Sequence, residues 1–311
     1  MKLVFAGTPQ FAVPTLEHLL RAGHEVPLVV TQPDRPKGRG GELAAPPVKQ
    51  AAMGHGLRVI QPEKIKNNAE FRAELEQLAP RAIIVVGYGR IIPQWMIDLP
   101  ALGNLNVHAS LLPKYRGAAP IQWAIANGET TTGVTTMRID AGLDTGDILL
   151  QAATPIRASD NAVTLGPRLA ELGAALLIET LQRLEAGTLA ATPQDSSQAS
   201  LAPILTKEDG LIDWSRTAMA TWNRLRGFQP WPGASTTFRG KGLQVTEARL
   251  VHESSALTPG ELSAAGGKLL VGCGGASALE VLELQPEAKK KMPAAAFLNG
   301  YRPQAGERFG R

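Results

Sequence analysis

The sequence predicts an α/β domain built on a largely parallel sheet with helices on both faces, followed by a small β-barrel. Three observations carry this expectation. At 311 residues the chain exceeds the usual size of one domain. Up to residue 190, short apolar runs alternate with amphipathic segments, as in successive strand, helix, strand units. Beyond it, one helix-like segment gives way to short, closely spaced strands broken by glycine turns.

The elements follow in order. L-V-F-A-G reads as the first strand, P-T-L-E-H-L-L-R-A-G as a helix stopped at Gly23, and V-P-L-V-V-T, R-A-I-I-V-V-G and G-V-T-T-M-R-I as further strands. Residues 161–187 close the first domain as a helix, with Leu165, Leu169, Leu172 and Leu176 at helical spacing and Gly187 as its stop, so these leucines are core. Residues 188–206, polar and punctuated by proline, are expected to form a linker. A helix-like segment over 216–227 and the strands G-L-Q-V-T-E-A-R-L-V, P-G-E-L-S-A, K-L-L-V-G-C-G and A-L-E-V-L-E-L then make up the barrel. The expected domains are therefore 1–187 and 207–311.

Composition narrows the class. Hydrophobic residues make up 44% of the chain and charged residues 19%, the balance of a globular protein able to bury sizeable cores rather than a disordered one. The single cysteine, Cys273, has no partner for a disulfide or a zinc knuckle, which fits a reducing cytoplasm and a small buried side chain. M-K-L-V-F-A-G-T-P opens as a strand without a leader pattern, and no run approaches the roughly 18 apolar residues of a membrane helix. An unexported protein without membrane association is expected. The net charge of +4 is unevenly placed: residues 1–206 carry 18 cations and 18 anions, residues 207–311 carry 14 and 10. A polyanionic partner for the second domain is the hypothesis that follows.

The glycine-rich loops do not spell a nucleotide site. G-T-P-Q-F-A-V-P lacks the phosphate-loop pattern, and neither G-R-G-G-E-L nor G-Y-G-R-I-I supplies G-x-G-x-x-G. The loop D-R-P-K-G-R-G-G-E-L, residues 34–43, is basic and long for a compact α/β domain. Composition leaves it open between a functional loop and a solvated turn.

The stretch N-V-H-A-S-L-L-P-K-Y-R-G is more informative. L-G-N-L-N-V-H-A-S reads as a strand, which puts Asn106 and His108 on one face and Val107 on the other. The chain then leaves the sheet through Ser110 to Pro113, at the carboxyl end of the strand, where open parallel sheets bind ligands. The amide beside the imidazole favours function over a core histidine. His18, His24, His55 and His252 lack such company and are taken as structural. In I-D-A-G-L-D-T-G-D-I-L-L, the carboxylates Asp140, Asp144 and Asp147 admit three readings: a calcium loop, although the EF-hand spacing is absent; a turn held by aspartate side chains; or a partner that orients His108 and stabilises its cation.

N-V-H-A-S-L-L-P-K-Y-R-G-A-A-P-I-Q-W-A-I together with D-A-G-L-D-T-G-D-I resembles the signature of the 10-formyltetrahydrofolate-dependent formyltransferases. The likeness runs end to end, through F-A-G-T-P, Q-P-D-R-P-K-G-R-G, L-T-K-E-D-G-L-I-D-W, P-W-P and L-Q-P-E-A-K-K-K-M, to the branch of that family whose acceptor is methionyl-tRNA. F-Q-P-W-P and P-E-A-K-K-K are minor variants. The resemblance implies a Rossmann-like formyltransferase domain followed by an OB-like, tRNA-binding barrel. It implies 10-formyltetrahydrofolate as formyl donor, no metal, initiator methionyl-tRNA as acceptor, and a cytoplasmic monomer.

The family's catalytic trio maps onto Asn106, His108 and Asp144, and its folate segment onto Ser110, Leu111, Leu112 and Pro113, with Tyr88, Ile91 and Asp140 along the neighbouring strand lips. Its tRNA contacts map onto Lys37 and Arg39 in the basic loop and onto Lys207, with Lys289, Lys290 and Lys291 as a further track. In that scheme Asn106 donates to the oxyanion formed when the amine attacks the formyl carbon, His108 moves protons, and Asp144 orients the imidazole. Two rival readings stay open. A formyltransferase for a small amine, or a formylfolate hydrolase, would share the trio without needing the basic loop or barrel. A non-catalytic RNA-binding protein would not need the trio.

Overall fold

A computed structural model of the chain describes residues 1–37 and 42–310. They pack as two compact units, one of residues 1–37, 42–120, 131–155 and 166–202, the other of residues 121–130, 156–165 and 203–310.

In chain order the elements begin with β1 (Lys2–Gly7), α1 (Val13–Arg21), β2 (Glu25–Val30), β3 (Arg35–Lys37), β4 (Glu42–Ala44), α2 (Pro47–Gly54) and β5 (Val59–Ile60). They continue with α3 (Ala69–Leu78), β6 (Ala82–Val86), α4 (Gln94–Ile97), β7 (Asn104–His108), α5 (Pro120–Ala126), β8 (Thr131–Arg138), β9 (Ile148–Pro155) and α6 (Ala162–Glu185). One sheet runs β5-β2-β1-β6-β7-β8-β9. It is parallel from β5 to β7 and antiparallel over β8 and β9.

The unbroken apolar runs of β1 and β6 are buried on both faces, as expected of strands between two helical layers. Period-two alternation divides them between two cores: Leu3, Phe5 and Val107 pack with Leu16, Leu177 and Leu181, whereas Val4, Ala6 and Ile83 pack with Phe71, Leu75 and Met96. Val107 therefore lies under α6, and closely: a Cβ on Gly173 would stand 2.6 Å from its Cγ1. This contact turns Asn106 and His108 to the opposite face.

Of residues 188–206, expected as a linker, 188–202 fold onto the first unit and 203–206 belong to the second. Thr192 and Ile148 exchange both backbone hydrogen bonds at 2.8 Å, and Arg116 donates its N–H to Ser200 O at 2.8 Å and accepts from Ala202 N at 2.7 Å. A polar, proline-bearing segment cannot build a core, but it can satisfy the backbone groups at a sheet edge and along a loop.

In the second unit, α7 (Ala218–Gly227) precedes β10 (Ser235–Phe238), β11 (Lys241–Leu250), β12 (Leu262–Ser263), β13 (Leu269–Cys273), β14 (Ser277–Pro286), β15 (Met292–Pro293) and α8 (Ala294–Tyr301). The antiparallel sheet runs β10-β11-β14-β13-β12, with β15 on β14. The last residues join its two ends. Phe309 bridges Phe238 and Gly310 N donates to Thr237 O at 2.9 Å on the β10 side; Arg308 bridges Glu261 and Leu262 N donates to Glu307 O at 2.9 Å on the β12 side. The closed sheet is the barrel, and closure leaves no edge on that path. Phe309 caps its aromatic core, 5.8 Å from Phe238 and 6.2 Å from Phe297 between ring centroids. Cys273 is buried there, its thiol pushed up to about 11 by burial, which makes it unreactive. No helix among the described residues is long and apolar enough to cross a membrane.

One carboxylate fastens the closing segment. Glu307 accepts from Arg239 Nε at 2.7 Å and Nη2 at 2.8 Å and from Gln304 N at 2.7 Å, and the Arg239 fork is the main reason its pKa lies at about 2. A depressed folded-state pKa contributes stability that is present above the ordinary carboxylate range and lost as pH falls through the folded value. Glu307→Gln is therefore expected to melt below wild type at neutral pH, with the gap closing as pH falls from about 4.5 to about 2 in paired thermal scans. A gap independent of pH would refute the role assigned to the charge.

Candidate active site

The candidate site lies at the carboxyl end of β7. His108 is 6% exposed and its Nε2 lies 2.9 Å from Tyr115 O. A carbonyl only accepts, so Nε2 carries the hydrogen and Nδ1 is the nitrogen left to react. Nδ1 faces Asp144 Oδ2 at 3.7 Å. Asp144 comes from the loop between β8 and β9, with a φ of 52°. Its Oδ2 accepts from Gly117 N at 2.8 Å, and its Oδ1 lies 3.5 Å from Asn106 Nδ2. The Asn106 contact is long enough to leave the amide available as a donor. One carboxylate thus touches the imidazole that would become cationic and the amide that would face an anion.

The three aspartates part company here. Asp140 Oδ1 accepts from Gly142 N at 3.0 Å and from Thr145 Oγ1 at 2.8 Å, so this carboxylate holds the turn. Asp144 alone meets His108, and Asp147 contributes its carbonyl to Arg138 N at 2.9 Å. Among the described residues no group of three or more His, Cys, Asp or Glu side chains could hold a metal.

The S-L-L-P turn is a frame rather than a row of exposed side chains. Ser110 is fully buried and donates from Oγ to Lys114 O at 2.7 Å. Thr135 Oγ1 donates to Ser110 O at 2.7 Å and accepts from Leu112 N at 3.1 Å, while Gln151 Nε2 donates to Leu112 O at 2.8 Å. Leu112 is buried; Leu111 and Pro113 are half-exposed, and the Leu112–Pro113 peptide is cis.

Tyr88 points inward as a member of the core, and burial pushes its phenol up. Its carbonyl accepts from Thr8 Oγ1 at 3.2 Å and Gln32 Nε2 at 3.0 Å. Ile91 is the opposite, 90% exposed for a large apolar side chain.

In the basic loop, β3 and β4 form a hairpin in which Lys37 pairs with Glu42. Asp34 anchors its base, accepting from Lys49 Nζ and Gln61 Nε2, each at 2.7 Å; these bonds hold its carboxyl below the usual range. Arg39 lies outside the described residues. Lys207, in the second unit, is exposed. Lys291 faces Glu283 at 3.4 Å. Arg116 and Gly117 stand in the N-V-H-A-S-L-L-P-K-Y-R-G motif without a role assigned from sequence, and Gln194 lies outside it; no local pattern announces that Gly117 and Gln194 contact Asp144 or that Arg116 contacts Gln194.

Residues 1–181 match the family profile described as formyl transferase, and residues 204–302 match that of the formyl transferase C-terminal domain. The chain belongs to the formyl transferase family. It is 67% identical to the methionyl-tRNA formyltransferase of Koribacter versatilis over 311 residues, covering 100% of this chain and 99% of the relative. It is 58% identical to the enzyme of that name from Solibacter usitatus, covering 100% and 99%. Among solved formyl transferases, the N-formyltransferase of Helicobacter canadensis, in complex with folinic acid and dTDP-3-aminofucose, superposes with a TM-score of 0.68 over 92% of this chain and 99% of that one. At 21% identity that likeness is one of fold.

Proposed function

We propose that the chain transfers the formyl group of 10-formyltetrahydrofolate to the α-amino group of initiator methionyl-tRNA. The observation that carries the chemistry is the meeting of Asn106, His108 and Asp144 at the end of β7; the full-length likeness to methionyl-tRNA formyltransferases carries the acceptor.

Attack of an amine on a formyl carbon leaves negative charge on the formyl oxygen and a surplus proton on nitrogen. Asn106 supplies a neutral donor from a rigid strand for the first, an effect worth roughly 100- to 1,000-fold in rate. His108 handles the second through Nδ1, since Nε2 is committed to Tyr115 O. It takes the proton from the attacking amine and returns it to N10 of the folate as the bond between N10 and the formyl carbon breaks, so that the oxyanion collapses to the formamide and tetrahydrofolate leaves. Asp144 stabilises the imidazolium while Gly117 N–H holds the carboxylate in place. The donor's flat heterocycle is assigned to the strand lips, where exposed Ile91 and half-exposed Leu111 and Pro113 offer apolar surface and Asp140 stays at the rim. Buried Ser110, Leu112 and Tyr88 shape that surface from behind.

The hairpin loop and Lys207 are assigned to the tRNA, and the buried thiol of Cys273 fits a reducing cytoplasm. Purified protein mixed with 10-formyltetrahydrofolate and charged initiator tRNA should yield formylmethionyl-tRNA, with elongator methionyl-tRNA as control. Formate release or small-amine formylation, without transfer to tRNA, would instead favour the related folate enzymes. Arg39→Ala is expected to weaken catalysis on methionyl-tRNA and to reduce the salt slope of tRNA binding by about 1. An unchanged slope and rate would return the loop to a solvated turn.

A further inference from the structure

The segment that reads as a linker carries a side chain that reaches the catalytic loop. Gln194 Nε2 donates to the carbonyls of Asp144 and Gly146 at 2.8 and 2.7 Å, and its Oε1 accepts from Arg116 Nε at 3.1 Å and Nη2 at 2.8 Å. Carbonyls only accept and a guanidinium only donates, so every atom of this amide is committed in one orientation.

Arg116 is 7% exposed, and its charge is met by neutral oxygens, Gln194 Oε1 and, at 3.4 Å, Ser196 Oγ. The next residue, Gly117, donates its N–H to Asp144 Oδ2. The Arg116-Gly117 pair therefore grips Asp144 twice: at the carboxylate directly, and at the backbone through Gln194. Asp144 has need of such a grip. Its φ of 52° lies in the left-handed region, which a residue with a Cβ keeps only where its surroundings over-determine it.

We infer that Gln194, backed by Arg116, is a positioning residue for Asp144, and that residues 188–202 complete the catalytic loop instead of merely leading out of the domain. The inference rests on the formyl-transfer reading. It explains the residue type. Glutamate has the same shape but would set a carboxylate oxygen against two carbonyls, and asparagine is one methylene shorter.

The test is a double-mutant cycle on the full-length enzyme, read by single-turnover formylation and by KM for each substrate. Gln194→Ala is expected to lower kcat by up to about 100-fold, the scale of a small misplacement near reacting atoms, with both KM values unchanged. Gln194→Glu should lose more, despite its shape. Gln194→Met, which keeps the volume without the hydrogen bonds, replaces the alanine variant if that fails to fold. On an Asp144→Ala background the same Gln194 change should cost less than about twofold, because the route through Asp144 is gone. Equal losses on both backgrounds, an effect confined to KM, or a wild-type kcat in Gln194→Ala would each overturn the inference. A wild-type enzyme that forms no formylmethionyl-tRNA would overturn the reading beneath it instead.

Discussion

His108→Ala is expected to slow single-turnover formyl transfer by roughly 100- to 10,000-fold, the range for loss of a positioned acid-base group, while tRNA affinity stays near wild type. The hydrogen bond from Nε2 to Tyr115 O sharpens this into a test of which nitrogen acts. Glutamine places its amide near the position of Nε2, so His108→Gln can keep the Tyr115 contact but has nothing at Nδ1. Its folding stability should therefore lie closer to wild type than that of His108→Ala, while its rate falls as far. A His108→Gln enzyme with near-wild-type transfer would show that Nδ1, and with it the contact to Asp144, is not the working element.

Asn106→Ala is expected to cost roughly 100- to 1,000-fold in kcat, about 3 to 4 kcal/mol in the barrier, as removal of one preorganised oxyanion donor does elsewhere. The loss should appear in kcat and kcat/KM alike, because the interaction exists only once charge has developed. Asn106→Asp should be worse. It exchanges the donor for a second carboxylate facing Asp144 Oδ1, which in the wild type lies 3.5 Å from the Asn106 amide nitrogen. If Asn106→Ala raises KM and spares kcat, the amide binds substrate rather than the developing anion.

Much of this site is legible in the chain because strand geometry is local. Residues two apart share a face, so Asn106 and His108 fall together as soon as their strand is recognised, and the opposed Val107 is free to pack under α6 against Gly173. The turn proposed for the folate is harder. Ser110 and Leu112 stand in the expected segment, yet they spend their polar atoms on Lys114, Thr135 and Gln151. A motif shows that a turn matters without showing whether its side chains or its shape do the binding. Tyr88 makes the same point: it follows an apolar strand beside glycines, where a lip residue belongs, and its ring turns into the core.

The sequence by itself determined the alternating strands and helices, the shared face of Asn106 and His108, and the barrel's short strands, since each depends on periodicity over a few residues. The motif resemblance singles out Asp144 among the three aspartates, but only the tertiary structure decided that its carboxylate faces His108 Nδ1 while accepting from Gly117 N, that Gln194 returns from beyond α6 to hold that aspartate, and that residues 307–310 close the barrel. These contacts join segments far apart in the chain. They depend on how loops close over a finished sheet, and loop closure leaves no repeating trace in the order of residues.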